Sequence, residues 1–193
     1  MEKIAIIHDW LTGMRGGEKV LEVFCELFPE ADIFTLIHIP GSVSKIIEGR
    51  KIQTSFLQRI PLARRHYRSF LPLFPLAIEC FNLKGYDVVI SSSHCVAKGV
   101  LTSPSTIHVC YCYTPMRYVW DHYYTYFGSE KRGLMYSYIM PAIAHYLRMW
   151  DVVSSNRVDC YVASSYNVAN RIKKYYKRLS VVIHPPVDCS LYT

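Results

Sequence analysis

The sequence lacks a hydrophobic run long enough to form a membrane-spanning helix. A bilayer requires roughly 18 or more consecutive apolar residues, whereas the uncharged stretches at residues 69–78 and 134–144 are shorter and contain proline. The apolar run at the N-terminus is too short for a signal peptide and is followed by no cleavage site. We therefore expect a cytoplasmic chain that does not cross a membrane.

Motifs that mark several common active sites are missing as well. The N-terminal glycines follow neither the G-x-G-x-x-G dinucleotide fingerprint nor the G-x-x-x-x-G-K-[ST] phosphate loop. No G-x-S-x-G nucleophile elbow accompanies Ser92, His94 and Asp121, so a hydrolase triad built from these residues has little support. The seven cysteines are scattered along the chain, which predicts reduced thiols and no metal site.

Basic and aromatic residues, in contrast, are plentiful. The 193 residues carry a net charge of +7 and include 16 tyrosines, and 51% of them are hydrophobic, which excludes a disordered chain. The length suits one domain with a full core. The positive charge favours an acidic partner, such as nucleic acid, anionic lipid headgroups or a nucleotide diphosphate.

Short apolar runs alternate with helical patterns along the chain. The predicted strands are residues 3–8, 32–37, 51–54, 87–91, 107–113, 160–163 and 181–183. The predicted helices are residues 17–28, 42–47, 63–70, 75–81, 115–123, 134–155 and 165–175. This alternation predicts an α/β fold, a Rossmann-like parallel sheet of six or seven strands with helices on both faces.

The first predicted strand leads into a glycine-rich turn and then a helix. Gly13, Gly16 and Gly17 allow the backbone to approach a ligand closely. The free N–H groups at the start of the following helix favour an anion such as a phosphate. A tight strand-to-helix turn without any ligand explains the same glycines, so both interpretations remain open here.

Polar residues follow several of the predicted strands at the edge where parallel sheets bind ligands. They are His8 and Asp9 after the first strand, and residues 91–94, 113–118 and 164–167 after later ones. Because the carboxyl ends of parallel strands meet at one edge, these residues predict a binding cleft there.

The same polar segments carry a resemblance to a known family. The matching stretches are residues 8–11, 15–20, 86–94, 110–121, 163–169 and 182–188. In order along the whole chain, they resemble the N-terminal domain of family 4 glycosyltransferases, which have the two-domain GT-B fold. The most specific stretches are Thr-Pro-Met-Arg-Tyr-x-Trp-Asp at 114–121 and His-Pro-Pro-Val-Asp at 184–188. The likeness is greatest to the bacterial branch that builds O-antigen, capsule and exopolysaccharide, often as mannosyltransferases.

This resemblance implies an activity and a domain organisation. It implies retaining transfer of mannose or a related hexose from a nucleotide-sugar, such as GDP-mannose, to a lipid-linked or polysaccharide acceptor. It implies no metal, no further cofactor and no nucleic acid partner. Residues 1–184 then form the acceptor-side domain, and residues 185–193 begin a hinge to a C-terminal domain that binds the nucleotide-sugar. The isolated domain is expected to be inactive.

The resemblance also implies roles for individual residues. Gly16 and Gly17 match the loop that contacts the donor phosphate, and His94 matches a histidine near the donor sugar, here assigned to catalysis. The residues assigned to acceptor binding are His8, Asp9, Tyr113, Thr114, Arg117, Tyr118 and Asp121. Relatives commonly have histidine where this chain has Tyr113, so a role for that histidine does not transfer.

Residues 58–78 combine basic and apolar side chains. The basic ones are Arg59, Arg64, Arg65 and Arg68, and the apolar ones include Tyr67, Phe70, Leu71, Leu73, Phe74 and Leu76. If these apolar side chains are exposed, the segment suits a surface that lies on anionic lipid. We therefore predict peripheral attachment to the inner face of the cell membrane. The alternative is a set of helices whose apolar face packs on the sheet.

Two other classes of function compete with the transferase. One is a non-catalytic module that binds a sugar or lipid in the same cleft. The other is a nucleotide-binding regulator of Rossmann type, which is disfavoured because the fingerprint is missing and because Asp32 begins its predicted strand instead of ending it. A second α/β half in a longer reading frame would favour the transferase over the module.

Overall fold

The computed structural model describes residues 2–121 and 134–187, and seven parallel strands within these residues form one sheet. The strands are β1 (Ile4–His8), β2 (Asp32–Thr35), β3 (Ile52–Thr54), β4 (Val88–Ser93), β5 (Ile107–Cys112), β6 (Cys160–Ala163) and β7 (Val181–Val182). Their order across the sheet is β3-β2-β1-β4-β5-β6-β7. The predicted α/β fold with a parallel sheet is thereby confirmed.

Helices connect successive strands, as a parallel sheet requires. They are α1 (Gly16–Leu27), α2 (Lys45–Glu48), α3 (Ala63–His66), α4 (Phe74–Glu79), α5 (Arg117–Trp120), α6 (Leu134–Ser155) and α7 (Tyr166–Tyr176). Short 3-10 helices cover Phe56–Arg59, Tyr67–Leu73 and Ala97–Gly99. The predicted helix at 63–70 is therefore split, because the chain tightens into a 3-10 helix that contains Pro72. Part of the predicted helix at 115–123 and residues 188–193 of the predicted hinge lie outside the described residues.

The core lies on both faces of the sheet. Ala5, Ile6 and Ile7 of β1 are completely buried, as their continuous apolar run predicts for a central parallel strand. Successive side chains of a strand point to opposite faces. Ala5 and Ile7 accordingly belong to one hydrophobic cluster, together with α4 and α6, whereas Ile6 packs into a second cluster with α1.

The strand order reverses between β1 and β4, which fixes the position of a crevice. From β1 the chain proceeds outward to β2 and β3, and then returns to the other side of β1 as β4. Residue His8 at the end of β1 is the register partner of Ser92 near the end of β4. Ligands of open α/β sheets bind at such a reversal, outside the carboxyl ends of the strands.

The segment at residues 58–78 is less exposed than the membrane prediction requires. Tyr67 and Phe74 are buried, and Phe70 and Leu71 are partly buried against the same core cluster. For these four side chains the expectation of exposure is wrong, because short helices here cover the sheet with their apolar faces. The exposed leucines of the segment are Leu62, Leu73 and Leu76, and its exposed arginines are Arg59, Arg64, Arg65 and Arg68. Among the helices of the described residues, none has the length and apolarity to cross a bilayer.

The six cysteines of the described residues are free thiols. Cys25, Cys95, Cys110 and Cys112 are buried, and the remaining two are exposed. Cys110 and Cys112 lie two residues apart in β5 and pack into the same cluster, since alternate residues of a strand share a face. Burial raises the pKa of the Cys95 thiol well above its usual value, so this thiol is held in its protonated, unreactive form.

His108 of β5 makes the stability of the fold depend on pH. Its ring is completely buried, with Nε2 2.9 Å from Ser91 Oγ. Burial lowers the pKa of His108 from 6.5 to about 4. Between pH 6.5 and about pH 4, His108 is protonated in the unfolded chain but neutral in the folded protein. The free energy of unfolding therefore decreases as the pH falls through this range.

We expect the free energy of unfolding to fall by up to about 1.4 kcal/mol per pH unit below pH 6.5 through this residue alone. Urea unfolding of the wild type and of His108→Gln between pH 7 and pH 4 measures the difference. The glutamine variant should show a flatter pH dependence, and the exposed matched control His66→Gln should follow the wild type. Parallel curves for the wild type and His108→Gln would contradict the argument.

Candidate functional site

A cleft of about 500 Å³ opens at the carboxyl ends of β1, β4 and β5. The predicted site residues that line it are Gly16, Gly17, His94, Tyr113, Thr114, Arg117 and Tyr118. Arg68, which the sequence assigned to the membrane surface, lines the cleft too. Residues that the sequence did not single out are Trp10, Arg15, Glu18, Arg171 and Pro185. The structure thus brings the polar strand ends together where the α/β pattern predicts a cleft.

Asp9 fixes the loop that follows β4 and orients His94. Its carboxylate is completely buried and accepts the backbone N–H groups of residues 94–97 at 2.7 to 3.0 Å. His94 Nδ1 lies 3.0 Å from Asp9 Oδ2. Because a carboxylate only accepts, Nδ1 carries the proton and Nε2 is the ring nitrogen that Asp9 leaves unused. Burial disfavours the charged form of Asp9, but the opposing attraction and hydrogen bonds of His94 lower its pKa.

A chain of hydrogen bonds links His8 to the glycine turn. The Tyr113 hydroxyl donates to the Gly17 carbonyl at 3.1 Å. Since Tyr113 has one proton, Ser92 Oγ donates to the Tyr113 oxygen at 2.9 Å, and His8 Nδ1 donates to Ser92 at 3.0 Å. Tyr113 therefore attaches the turn before α1 to the ends of β4 and β5.

Glu18 faces the other nitrogen of the His8 ring. Its Oε1 lies 3.8 Å from His8 Nε2, and its Oε2 accepts the Arg15 backbone N–H at 3.0 Å. Burial raises the pKa of Glu18, but His8 and the backbone N–H groups outweigh this effect, so the net shift is downward. Glu18 is thus a carboxylate that stabilises the first turn of α1 and faces the ring of His8.

The two glycines of the turn differ in their surroundings. A Cβ atom added to Gly16 would meet nothing within 4 Å, whereas one on Gly17 would lie 3.5 Å from His8 Cε1 and 3.7 Å from Tyr113 Cε2. A methyl group would therefore fit at Gly17, but a branched side chain would push against both rings. At Gly16 a side chain would project into open space beside the cleft.

This difference separates the ligand-binding interpretation of the glycines from the tight-turn interpretation. We expect Gly16→Val in the full-length protein to leave the thermal unfolding temperature near that of the wild type. If the protein has the transferase activity that the family resemblance implies, this variant should abolish sugar transfer, because the side chain occupies the ligand's space. Gly17→Val should abolish transfer as well, with an added loss of stability. If transfer survives in Gly16→Val, the tight-turn interpretation is correct. Gly41 is remote from the cleft in sequence and has a positive φ, so Gly41→Val is the control for the stability measurement.

A second group of residues fixes the wall formed by α5. Arg171 of α7 donates to Thr114 Oγ1 at 2.9 Å and forms an ion pair with Asp121. Trp120 stacks on Tyr175 at a ring-centroid distance of 4.4 Å. These contacts tie α5 to α7 and hold the segment that carries Arg117 and Tyr118.

A buried ion pair lies behind this wall. Lys98 Nζ is 2.9 Å from Asp151 Oδ1, and both side chains are almost completely buried. Asp151 Oδ2 accepts the indole N–H of Trp120 at 2.8 Å and the hydroxyl of Tyr176 at 2.9 Å. Removing one member of a buried ion pair leaves the other charge uncompensated, which is strongly destabilising. Because Trp120 of α5 is bonded to this pair, moving α5 would disturb the network and cost free energy.

Some predicted site residues lie outside the cleft lining. His8 and Asp9 are completely buried behind it and act on Tyr113, Glu18 and His94. Asp121 pairs with Arg171 beside the cleft. The triad drawn from Ser92, His94 and Asp121 is not assembled, because each of the three has a different partner. In the part of the chain described here, no three His, Cys, Asp or Glu side chains are grouped so that they could hold a metal ion.

Comparison with known proteins gives a likeness among solved structures. No protein-family model matches the chain, and the curated proteins contain no match. Among solved structures, the chain is similar to the apo form of the lipopolysaccharide outer core galactosyltransferase WaaB, with a TM-score of 0.50 and 16% sequence identity. The similarity covers 96% of this chain and 46% of that protein, so the chain spans about half its length. At this identity the likeness shows the fold alone, a Rossmann-like α/β unit.

Proposed function

We propose that the chain is the acceptor-binding, N-terminal half of a retaining glycosyltransferase of family 4. The observation that carries this proposal is the placement of His94, held by the buried carboxylate of Asp9 in a cleft that also contains the glycine turn of α1. The backbone N–H groups of that turn suit the phosphate of a nucleotide-sugar. The fold shared with a galactosyltransferase supports the same class of reaction.

In this proposal the two walls of the cleft have different tasks. Gly16 and Gly17 hold the donor phosphate, and His94 contacts the donor sugar through Nε2. Tyr113, Thr114, Arg117 and Tyr118 receive the acceptor. A mannose or related hexose is transferred from a nucleotide-sugar, GDP-mannose being the first donor to test, to a lipid-linked or polysaccharide acceptor. The remaining half of the nucleotide-sugar site belongs to a C-terminal domain beyond the hinge that begins at residue 185.

The test is sugar transfer by the full-length protein with a panel of nucleotide-sugars and lipid-linked acceptors. We expect transfer with one donor class and a product that keeps the anomeric configuration of the donor sugar, read by NMR. An inverted product would refute the retaining mechanism. Binding of sugars without transfer from any donor would favour the non-catalytic module.

We further propose that the protein attaches to anionic membrane on the cytoplasmic side through α3 and the 3-10 helix that follows it. The exposed Arg64 and Arg65 belong to the same segment of the chain as Leu62, Leu73 and Leu76, which are 68%, 40% and 54% exposed. Basic side chains near an anionic surface contribute about 1 kcal/mol each, and exposed leucines add apolar contact. Arg68 is left out of this surface because it lines the cleft.

Co-sedimentation with vesicles tests this attachment. The double variant with Arg64→Glu and Arg65→Glu is expected to reduce binding to anionic vesicles at least about 30-fold, the equivalent of two lost basic contacts. The variant with Lys173→Glu and Lys174→Glu, which makes the same charge change on exposed residues of α7, is the matched control. Equal losses in both variants, or a wild type that remains in the supernatant at low salt, would refute the proposal.

A further inference from the structure

The cleft has two walls that come from opposite faces of the sheet. Arg15 and the glycine turn belong to α1, which packs in the cluster containing Ile6. Arg68 and Arg117 lie on the other face of the sheet. The residues that immediately precede them, Tyr67 and Met116, belong to the hydrophobic cluster that contains Ala5 and Ile7. A ligand in the cleft therefore meets cationic side chains on two separate walls.

The charged side chains that line the cleft are predominantly positive. They are Arg15, Arg68, Arg117 and Arg171, together with the carboxylate of Glu18. Glu18 is 4% exposed and already faces His8 and the N–H of Arg15. Asp121, the acid nearest in sequence to the α5 wall, is paired with Arg171. Arginines therefore outnumber carboxylates among the charged side chains that line the cleft.

Arg117 is the most available of these cations. It is exposed at the start of α5, and its guanidinium makes no hydrogen bond or ion pair with any residue in the described ranges 2–121 and 134–187. The segment beneath it is rigid, because Trp120 is bonded to the buried Asp151 and Thr114 is bonded to Arg171. A fixed guanidinium with unused donors, opposite a separate anion-favouring turn, is an arrangement suited to a second anion.

We propose, on the basis of the transferase function above, that the acceptor carries a phosphate ester and that Arg117 and Arg68 bind it. Two guanidinium groups can each donate to different oxygens of one phosphate, and its double negative charge matches two cations. The donor's phosphate is expected at the opposite wall, on the N–H groups of the glycine turn. Tyr118, on the same wall as Arg117, offers its ring to the sugar beside that phosphate.

The first experiment measures binding of inorganic pyrophosphate to the 193-residue chain by NMR titration of backbone amides at constant ionic strength. The backbone amides of α5 are expected to report pyrophosphate binding that Arg117→Gln weakens about tenfold. The exposed control Arg64→Gln should leave this binding unchanged, and so should Gly16→Val, which blocks only the donor-phosphate turn. An unchanged affinity in Arg117→Gln would overturn the proposal. So would an equal loss in Arg64→Gln, which would indicate a general charge effect, or a loss confined to Gly16→Val, which would place the anion on the donor wall.

A second comparison identifies the class of anion. Glucuronate carries a carboxylate and methyl α-mannoside carries no charge, and both should bind at least tenfold more weakly than pyrophosphate. Equal binding of glucuronate would overturn the assignment to phosphate in favour of an acidic sugar.

Kinetics of the full-length protein separate this proposal from the function on which it rests. Arg117→Gln should raise KM for a phosphate-bearing acceptor about tenfold and leave KM for the donor unchanged. If the full-length protein transfers sugar and Arg117→Gln does not change KM for the acceptor, the phosphate proposal fails and the transferase stands. If no transfer occurs but pyrophosphate binding depends on Arg117, the transferase fails and the anion site stands.

Discussion

Replacing Asp9 with asparagine is expected to lower the free energy of unfolding by about 3 kcal/mol or more, although the two side chains have the same shape. The carboxylate of Asp9 accepts four backbone N–H groups, two on each oxygen. An asparagine keeps one accepting oxygen and turns an NH₂ group toward the other two N–H donors. Buried donors left without an acceptor cost about 1–3 kcal/mol each, and here two are affected.

Urea unfolding of Asp9→Asn at pH 7 measures this loss, and Asp159→Asn is the matched control. Asp159 is exposed and its Oδ2 accepts one backbone N–H, that of His108, at 2.8 Å. The control should therefore cost about 1 kcal/mol or less. Equal losses in the two variants would contradict the structural role of Asp9.

The pH dependence of the same comparison gives an independent check. The pKa of Asp9 is lowered in the folded protein, so its stabilisation is fully present above the unfolded pKa of about 3.9 and is lost as the pH falls below that value. The difference in unfolding free energy between wild type and Asp9→Asn should consequently shrink below pH 4. A constant difference would indicate that the charge of Asp9 contributes nothing.

The fold could be predicted because the signals that specify it are local. The run Ile4 to Ile7 has no polar residue, which predicts a strand covered on both faces, and Ala5, Ile6 and Ile7 are completely buried. The glycine-rich segment after it predicts a turn that leads into a helix, and α1 begins there at Gly16. Neither inference required knowledge of any residue distant in sequence.

The function of the polar strand ends could not be predicted in the same way. The position of Asp9 after a strand predicts that it lies at the cleft, and the resemblance assigns it to the acceptor. Its carboxylate instead accepts backbone N–H groups 85 to 88 residues later. A backbone N–H has no sequence signature, so periodicity and motifs cannot detect such a contact. The place of Arg68 in the cleft lining could not be predicted for a related reason, since it follows from the burial of neighbouring Tyr67 against the core.

His94 is the residue of the cleft whose loss should affect turnover most. In the proposed transferase its Nε2 contacts the donor sugar, and Asp9 fixes the orientation of its ring. A positioned polar group of this kind contributes about 100-fold or more to turnover. We expect His94→Ala to lower kcat of the full-length protein by at least this factor. Its stability should change little, because the loop remains bound to Asp9 through four backbone N–H groups and the His94 side chain is 25% exposed.

Steady-state kinetics and thermal unfolding of the same samples separate a loss of function from a loss of fold. His66→Ala, an exposed histidine of α3 that does not line the cleft, is the matched control and should behave as wild type. Asp9→Asn should also reduce kcat, since it turns an amide toward Nδ1 and releases the ring from its orientation. Added imidazole, which can enter the space left by the ring, should restore part of the activity of His94→Ala but none of that of Asp9→Asn. Unchanged turnover of a folded His94→Ala would leave His94 as a residue that only completes the loop after β4.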